Sequence, residues 1–129
     1  MGGITASLVA RRCGARVVYV AAFLPRAGAA LKDLLGEMVC PEVPGALVRR
    51  DGLDFWRDPE KFGLDPAALR GQALAPYFDV LEDPVPGTYV ACARDRVVSP
   101  AYQRSVADVE LDCGHLPQVE CPERLAALL

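Results

Sequence analysis

The segment RVVYVAAF, residues 16 to 23, constrains the fold of this chain more than any other part of the sequence. Seven of its eight residues are apolar, and no polar side chain alternates with them. A strand with one face in water alternates apolar and polar residues, whereas a parallel strand covered on both faces does not. The segment therefore predicts a parallel strand that is buried on both faces.

Two further strands and three helices are predicted around this one. GTYVACARD, residues 87 to 95, reads as a second buried strand, and VELDC, residues 109 to 113, as a third. Apolar spacing predicts helices over 2 to 12 and 100 to 107, the second capped by Ser99, and a last helix from Pro122. Strands that alternate with helices are typical of an α/β fold, here with about three parallel strands.

The region between the first two strands has a different character. It contains eight of the chain's eleven prolines and has no sustained periodicity, apart from candidate helices over about 27 to 39 and 65 to 74. We interpret residues 26 to 86 as a small helical, cap-like insertion. With 129 residues in all, the chain is expected to form one domain or part of one.

Composition excludes several function classes. The formal net charge of −3 offers no basic surface for nucleic acid or for an anionic membrane, and no stretch of residues is apolar enough to span a bilayer. Five cysteines without regular spacing argue against a disulfide framework and favour a reducing compartment. A cytoplasmic location is the expectation.

Asp95 and His115 are the candidate catalytic residues. Asp95 lies at the end of the second predicted strand segment and His115 directly after the third, and reactive groups in parallel sheets lie in the loops at the carboxyl ends of strands. An acid beside a histidine can fix the imidazole tautomer and stabilise the imidazolium. By itself, a lone loop histidine is more often solvated, and Asp95 between two arginines would usually mark a surface turn. The joint pattern favours a carboxylate–imidazole pair.

Other chemistry in the chain is less well supported. Cys113, His115 and Cys121, with Cys92 on a neighbouring strand, match no standard zinc spacing, so buried thiols are the simpler interpretation and no metal or organic cofactor is expected. Ser7 lies within a predicted helix and does not qualify as a nucleophile.

Several segments resemble the C-terminal half of an α/β-hydrolase of the bacterial carboxylesterase and plant methylesterase or hydroxynitrile lyase type. They are YVAAFLP (19 to 25), ALAPYFDV (73 to 80), RDRVVSPAYQR (94 to 104) and ELDCGHLPQVECPERLAALL (110 to 129). The order of acid and then histidine is that of the family. The resemblance covers nearly the whole chain.

The resemblance implies ester hydrolysis through an acyl-enzyme, with Asp95 orienting His115 as the base. A common form of the family's nucleophile elbow ends in Ser-Met-Gly-Gly, so Met1-Gly2-Gly3 would directly follow a serine that this chain lacks. Met1 would then be the oxyanion-hole residue. The cap aromatics expected to line a substrate pocket, or else to form only the core of the cap, are Phe55, Trp56, Phe62, Tyr77 and Phe78.

Two interpretations of the chain remain open at this point. In the first, Met1 is an internal methionine of a longer protein, and the DNA upstream should encode a strand and a Gly-x-Ser elbow. The expected binding partner of that longer protein is a small ester substrate. Alternatively, the chain is a truncated, non-catalytic product that binds partners or associates with itself through an exposed sheet edge. Lyase chemistry in place of ester cleavage is also left open.

Overall fold

The structure is a computed structural model that describes residues 2–129. Its helices are α1 (Gly2–Cys13), α2 (Leu31–Met38), α3 (Val43–Ala46), α4 (Pro100–Val106), α5 (Pro117–Glu120) and α6 (Pro122–Ala126). Its strands are β1 (Val17–Val20), β2 (Ala29–Ala30), β3 (Leu47–Arg50), β4 (Leu53–Trp56), β5 (Gln72–Ala73), β6 (Val80–Leu81), β7 (Gly87–Cys92) and β8 (Val109–Leu111). Short 3-10 helices span Pro59–Phe62, Pro66–Ala68 and Ala75–Tyr77.

A three-stranded parallel sheet in the order β1-β7-β8 forms the centre of the fold. Val17 pairs with Gly87 across the first interface, and Val90 pairs with Val109 across the second. These are the three strands that the apolar segments predict, and helices flank them, so the predicted α/β class is confirmed. Within residues 2–129, no helix combines the length and the apolar character that crossing a membrane requires.

The middle strand β7 is buried on both of its faces. Tyr89 and Ala91 pack with Ala10 of α1 on one side of the sheet. Val90 and Cys92, which point the other way, pack with Leu125 of α6 and with Leu111 of β8. This explains why the segment lacks polar alternation, because successive side chains enter two different apolar layers.

Strand β1 is shorter than the predicted strand over residues 16 to 23. It ends at Val20, because Ala21 has a φ of 44° and so leaves the extended conformation. A β-branched residue would adopt that conformation only at considerable cost. The chain then turns, and Phe23 joins a separate apolar cluster with Ile4 and the residues of α2.

The inserted region contains more strand than the sequence analysis predicts. The first expected helix is present as α2, but the second, over 65 to 74, is wrong: this segment forms the 3-10 helix Pro66–Ala68 and strand β5. β5 completes a three-stranded antiparallel sheet with β3 and β4. The sequence signal for the hairpin of β3 and β4 is Asp51-Gly52, whose positive φ angles of 49° and 76° are typical of a two-residue hairpin turn.

Helix α1 approaches the turn after β1 so closely that only glycine fits at the contact. A Cβ atom added to Gly3 would lie 2.2 Å from the backbone oxygen of Phe23. A Cβ atom added to the neighbouring Gly2 would meet nothing within 4 Å. The small residue at position 3 therefore sets the distance between the helix and the end of strand β1.

The two glycines provide a matched test of this contact. Gly3→Ala is expected to lower the free energy of unfolding by about 1 to 3 kcal/mol, since backbone must shift to admit the methyl group. Gly2→Ala is expected to leave it unchanged or to raise it by up to about 1 kcal/mol, because alanine favours helix. Denaturant unfolding measures both, and equal stabilities for the two variants would contradict the close approach.

Candidate active site

Asp95 lies in the turn that follows strand β7, with its backbone N–H donating to the carbonyl of Cys92 at 3.2 Å. Its side chain is fully buried, although arginines flank it in the sequence. Neither arginine pairs with it: Arg94 binds Asp112 at 2.9 Å, and the Arg96 guanidinium lies over the Phe62 ring at 5.9 Å. The turn therefore directs the carboxylate inward instead of forming surface ion pairs.

The Asp95 carboxylate is surrounded by hydrogen-bond donors. Its Oδ1 accepts the backbone N–H groups of Val97 at 2.7 Å and Val98 at 3.1 Å. Its Oδ2 accepts Nε2 of Gln103 at 2.9 Å and lies 2.9 Å from Nδ1 of His115. Donors that converge on a carboxylate compensate for its removal from water, so the acid is held in one orientation.

His115 follows strand β8, in the loop that leads to α5. The preceding residue, Gly114, donates its backbone N–H to the Glu120 carboxylate at 2.9 Å, which ties the loop to the end of α5. The imidazole is 23% exposed and presents Nδ1 to the buried acid. The contact that the strand order predicts between Asp95 and His115 is therefore present.

A cavity of about 1000 Å³ lies beside His115. Its lining comes from the start of α1, the end of β1, the inserted region and the histidine loop. A volume of this size can hold a small organic ligand, since such sites range from about 300 to 1,000 Å³. The imidazole thus contacts a buried acid and also lines a space for a ligand.

Three of the five predicted pocket aromatics line this cavity. They are Trp56, Tyr77 and Phe78. Phe55 lies between two lining residues of β4, Asp54 and Trp56, so the alternation of a strand turns it to the other face. Phe62 is buried in the apolar cluster, with its ring centroid 4.9 Å from that of Trp56. Of the two expectations for these aromatics, a place in the pocket lining is not met by Phe55 and Phe62, and Phe62 packs in an apolar core instead.

The cavity also has a polar corner that sequence analysis missed. Arg49 and Asp54, which pair across β3 and β4, both line it, and Arg49 Nε donates to Asp54 Oδ1 at 3.0 Å. Burial raises the pKa of the nearby Tyr77 phenol, and the Asp54 carboxylate raises it further. The phenol therefore stays protonated and can donate or accept a hydrogen bond.

The cysteines near the histidine loop are packed as apolar side chains. Cys92 and Cys113 are buried in the cluster beneath α6, and burial raises the pKa of the Cys113 thiol to about 11. Within the part of the chain that the structure describes, no group of three or more His, Cys, Asp or Glu side chains could hold a metal ion. Neutral thiols in an apolar layer are poor metal ligands and poor nucleophiles.

Two further positions from the sequence analysis have clear outcomes. Ser7 is buried, and its hydroxyl accepts the backbone N–H of Val85 at 2.7 Å, so it holds α1 against the chain that leads into β7. Met1, the expected oxyanion-hole residue, lies outside the described residues. Gly2 and Gly3, which follow it, line the cavity.

Gln103 of α4 is a further buried side chain at the site that sequence analysis does not single out. It is fully buried and contacts Asp95, Val98 and Cys92. A glutamine within a short amphipathic helix carries no signal of this kind in the sequence. Its partners belong to the strand and the turn that precede the helix.

The family and the relatives that match this chain in comparisons with known proteins are described as hydrolases. Residues 1–128 match the model of the alpha/beta hydrolase family. A probable hydrolase from Phoma sp. is 27% identical over 149 aligned residues, which cover 88% of this chain and 57% of that protein. A crystal structure of the pyrethroid hydrolase PytH with BIF matches with a TM-score of 0.82 and 22% identity. A pyrethroid hydrolase from Sphingobium faniae JZ-2 matches with a TM-score of 0.75 and 19% identity.

The extent of these matches defines what they support. Both structures are covered over 64% of their length by 98% of this chain, so the chain spans about three-fifths of the length of its relatives. At these identities, the structural likeness establishes the fold. The family model extends over nearly every residue, and the parallel sheet agrees with it. The chain belongs to the alpha/beta hydrolase family.

Proposed function

We propose that this chain carries the acid and the base of a carboxylic ester hydrolase, whose nucleophilic serine is supplied by a segment outside residues 1–129. The observation that supports this most strongly is the 2.9 Å contact of Asp95 Oδ2 with His115 Nδ1 beside the cavity. Membership of a hydrolase family supports the reaction class. A carboxylate that orients an imidazole is the acid-and-base unit of serine hydrolases.

The contact with Asp95 supports Nε2 as the nitrogen of His115 that takes part in proton transfer. Nδ1 donates to Asp95, so in the neutral imidazole Nε2 is the free acceptor. Nε2 takes the serine proton as the serine oxygen bonds to the ester carbonyl carbon. It then gives that proton to the departing alcohol as the carbon–oxygen bond of the ester breaks. The acyl group remains on the serine.

The second half of the reaction uses the same two residues. His115 Nε2 accepts a proton from water as the water oxygen attacks the acyl carbon, and it returns the proton to the serine oxygen as the acid is released. Throughout both halves, the Asp95 carboxylate stabilises the imidazolium form of His115.

Helix α1 is proposed to stabilise the oxyanion. Gly2 and Gly3 lie at the N-terminal end of this helix and line the cavity, and at this end the helix dipole favours negative charge. In a chain that continues upstream, the peptide N–H of Met1 would donate to the developing oxyanion. The close approach at Gly3 fixes how far the start of α1 lies from the end of β1.

The lining of the cavity suggests the class of ester. The inserted region contributes many apolar side chains to the lining, among them Trp56, Leu64, Leu69, Leu74 and Phe78. Removing apolar surface from water contributes roughly 25 cal/mol per Å², so this lining favours an apolar acyl or aromatic group on the substrate. The proposed substrate is therefore a small ester with an apolar substituent.

Joining a serine-bearing hydrolase segment to residue 1 tests the proposal. The joined protein is expected to hydrolyse p-nitrophenyl acetate, whereas residues 1–129 alone should give no turnover above that of His115→Ala. Asp95→Asn should reduce kcat by about four orders of magnitude, because the imidazole is no longer held in the tautomer that carries its hydrogen on Nδ1. His115→Ala should reduce it by about six.

A second carboxylate close to the site serves as the control. Asp112→Asn removes an exposed acid that pairs with Arg94, and it is expected to change kcat by less than about threefold, since exposed ion pairs contribute little. A joined protein that is active, and whose kcat is unchanged by His115→Ala, would contradict the assignment of His115 as the base.

Self-association is a second candidate function, and the position of β1 favours it. Among the described residues, β1 lies at the edge of the central sheet with β7 on one side only. Leu8 and Val9 of the adjacent helix α1 are 46% and 56% exposed. An apolar edge strand is a template for pairing with a second chain.

Sedimentation velocity of purified residues 1–129 tests this second candidate. Edge pairing predicts a dimer whose population rises with concentration over the micromolar range. Replacing Val18 by lysine, which places a charge on the edge strand, should return the protein to monomer. A wild-type chain that stays monomeric at all concentrations would exclude this function.

A further inference from the structure

We propose that Gln103 is a positioning residue that selects Oδ2 of Asp95 as the acceptor for His115. Its Nε2 donates to the same oxygen, Asp95 Oδ2, that lies 2.9 Å from the imidazole nitrogen. Gln103 has no exposed surface, and it does not line the cavity. Its effect on the reaction would therefore be exerted through Asp95.

The orientation of the Gln103 amide is determined by its partners. Oε1 accepts the backbone N–H of Cys92 at 2.9 Å. Nε2 donates one hydrogen to Asp95 and the other to the carbonyl oxygen of Val98, each at 2.9 Å. A flipped amide would place its oxygen against two acceptors and its NH2 group against a donor, so only one orientation satisfies all three contacts.

These contacts connect three parts of the fold to the acid. Cys92 is the last residue of β7, Val98 belongs to the turn that carries Asp95, and Gln103 itself lies on α4. The backbone N–H groups of Val97 and Val98 hold Oδ1 in the same turn. Oδ1 is thus fixed by its own turn, whereas Oδ2 is fixed by a residue eight positions further along the chain.

The division of donors between the two oxygens has a consequence for His115. Without the Gln103 amide, Oδ2 would retain the imidazole alone as a side-chain donor, and only the two backbone N–H groups at Oδ1 would still oppose rotation of the carboxylate about χ2. A carboxylate that turns presents a less favourable geometry to Nδ1, and the preference for the Nδ1–H tautomer falls. Gln103 therefore supports the tautomer that leaves Nε2 free to accept a proton.

A purely structural role for Gln103 is the alternative. The three hydrogen bonds would then stabilise the packing of α4 on β7, and their loss would leave the tautomer of the His115 imidazole unchanged. The two roles differ in what they predict for the tautomer of His115 in a folded variant. The role of Gln103 in catalysis rests on the proposed function. The tautomer of His115 is measured without turnover, so failure of this inference can be distinguished from failure of the proposed function.

Nitrogen-15 NMR of histidine-labelled protein tests the inference directly. The chain contains one histidine, so both imidazole signals belong to His115. At about pH 8.5, above the ordinary titration range of histidine, the wild-type chain should show mainly the Nδ1–H tautomer. Gln103→Met, which keeps the size of the side chain and removes its hydrogen bonds, should lower the Nδ1–H to Nε2–H ratio by about fivefold.

The matched control is Gln72→Met, the same substitution on β5, where the side chain donates only to the neighbouring carbonyl of Ala73. It should leave the tautomer ratio of His115 unchanged. A folded Gln103→Met chain with the wild-type ratio would overturn the inference and support the structural role.

A second measurement applies if Gln103→Met does not fold. In the wild-type chain, both Nε2 protons of Gln103 should exchange with water at least about tenfold more slowly than those of the exposed Gln118, because each is hydrogen-bonded in the core. Asp95→Asn should move one of these two proton resonances and leave the signals of Gln118 in place. Exchange as fast as that of Gln118, or no response to Asp95→Asn, would overturn the inference.

Discussion

The burial of one carboxylate, that of Asp95, is the constraint on which the rest of the site depends. A charge removed from water is costly unless donors surround it, and here four donors converge on its two oxygens. Two of them come from its own turn, one from α4 and one from the histidine loop. The sheet, the helix and the loop must therefore all be in place before the acid is satisfied.

This requirement links the parallel sheet to the chemistry. Strands β7 and β8 are neighbours, so the turns at their carboxyl ends bring Asp95 and His115 together. On the other side of β7, strand β1 and the close contact at Gly3 bring the start of α1 to the same cavity. The proposed base and the proposed oxyanion site thus approach the substrate space from two sides of β7.

The sequence predicts the features that local patterns encode and misses those that depend on distant contacts. Continuous apolar segments predict the buried strands, and strand order predicts the Asp95–His115 contact, because both follow from periodicity and topology. The left-handed conformation of Ala21 depends on packing after β1, and the role of Gln103 depends on the backbone of β7. Asp51-Gly52 is a local signal for the hairpin of β3 and β4, but the prolines around it favour an irregular insertion.

The most direct test of the account is proton NMR of the Nδ1–H of His115 in residues 1–129. We expect one low-field, nitrogen-bound proton that exchanges slowly with water, because Nδ1 donates to a buried carboxylate. This proton should disappear or move far upfield in Asp95→Asn and stay in Asp112→Asn. A folded chain that lacks this proton, or that keeps it unchanged in Asp95→Asn, would contradict the acid–base pair.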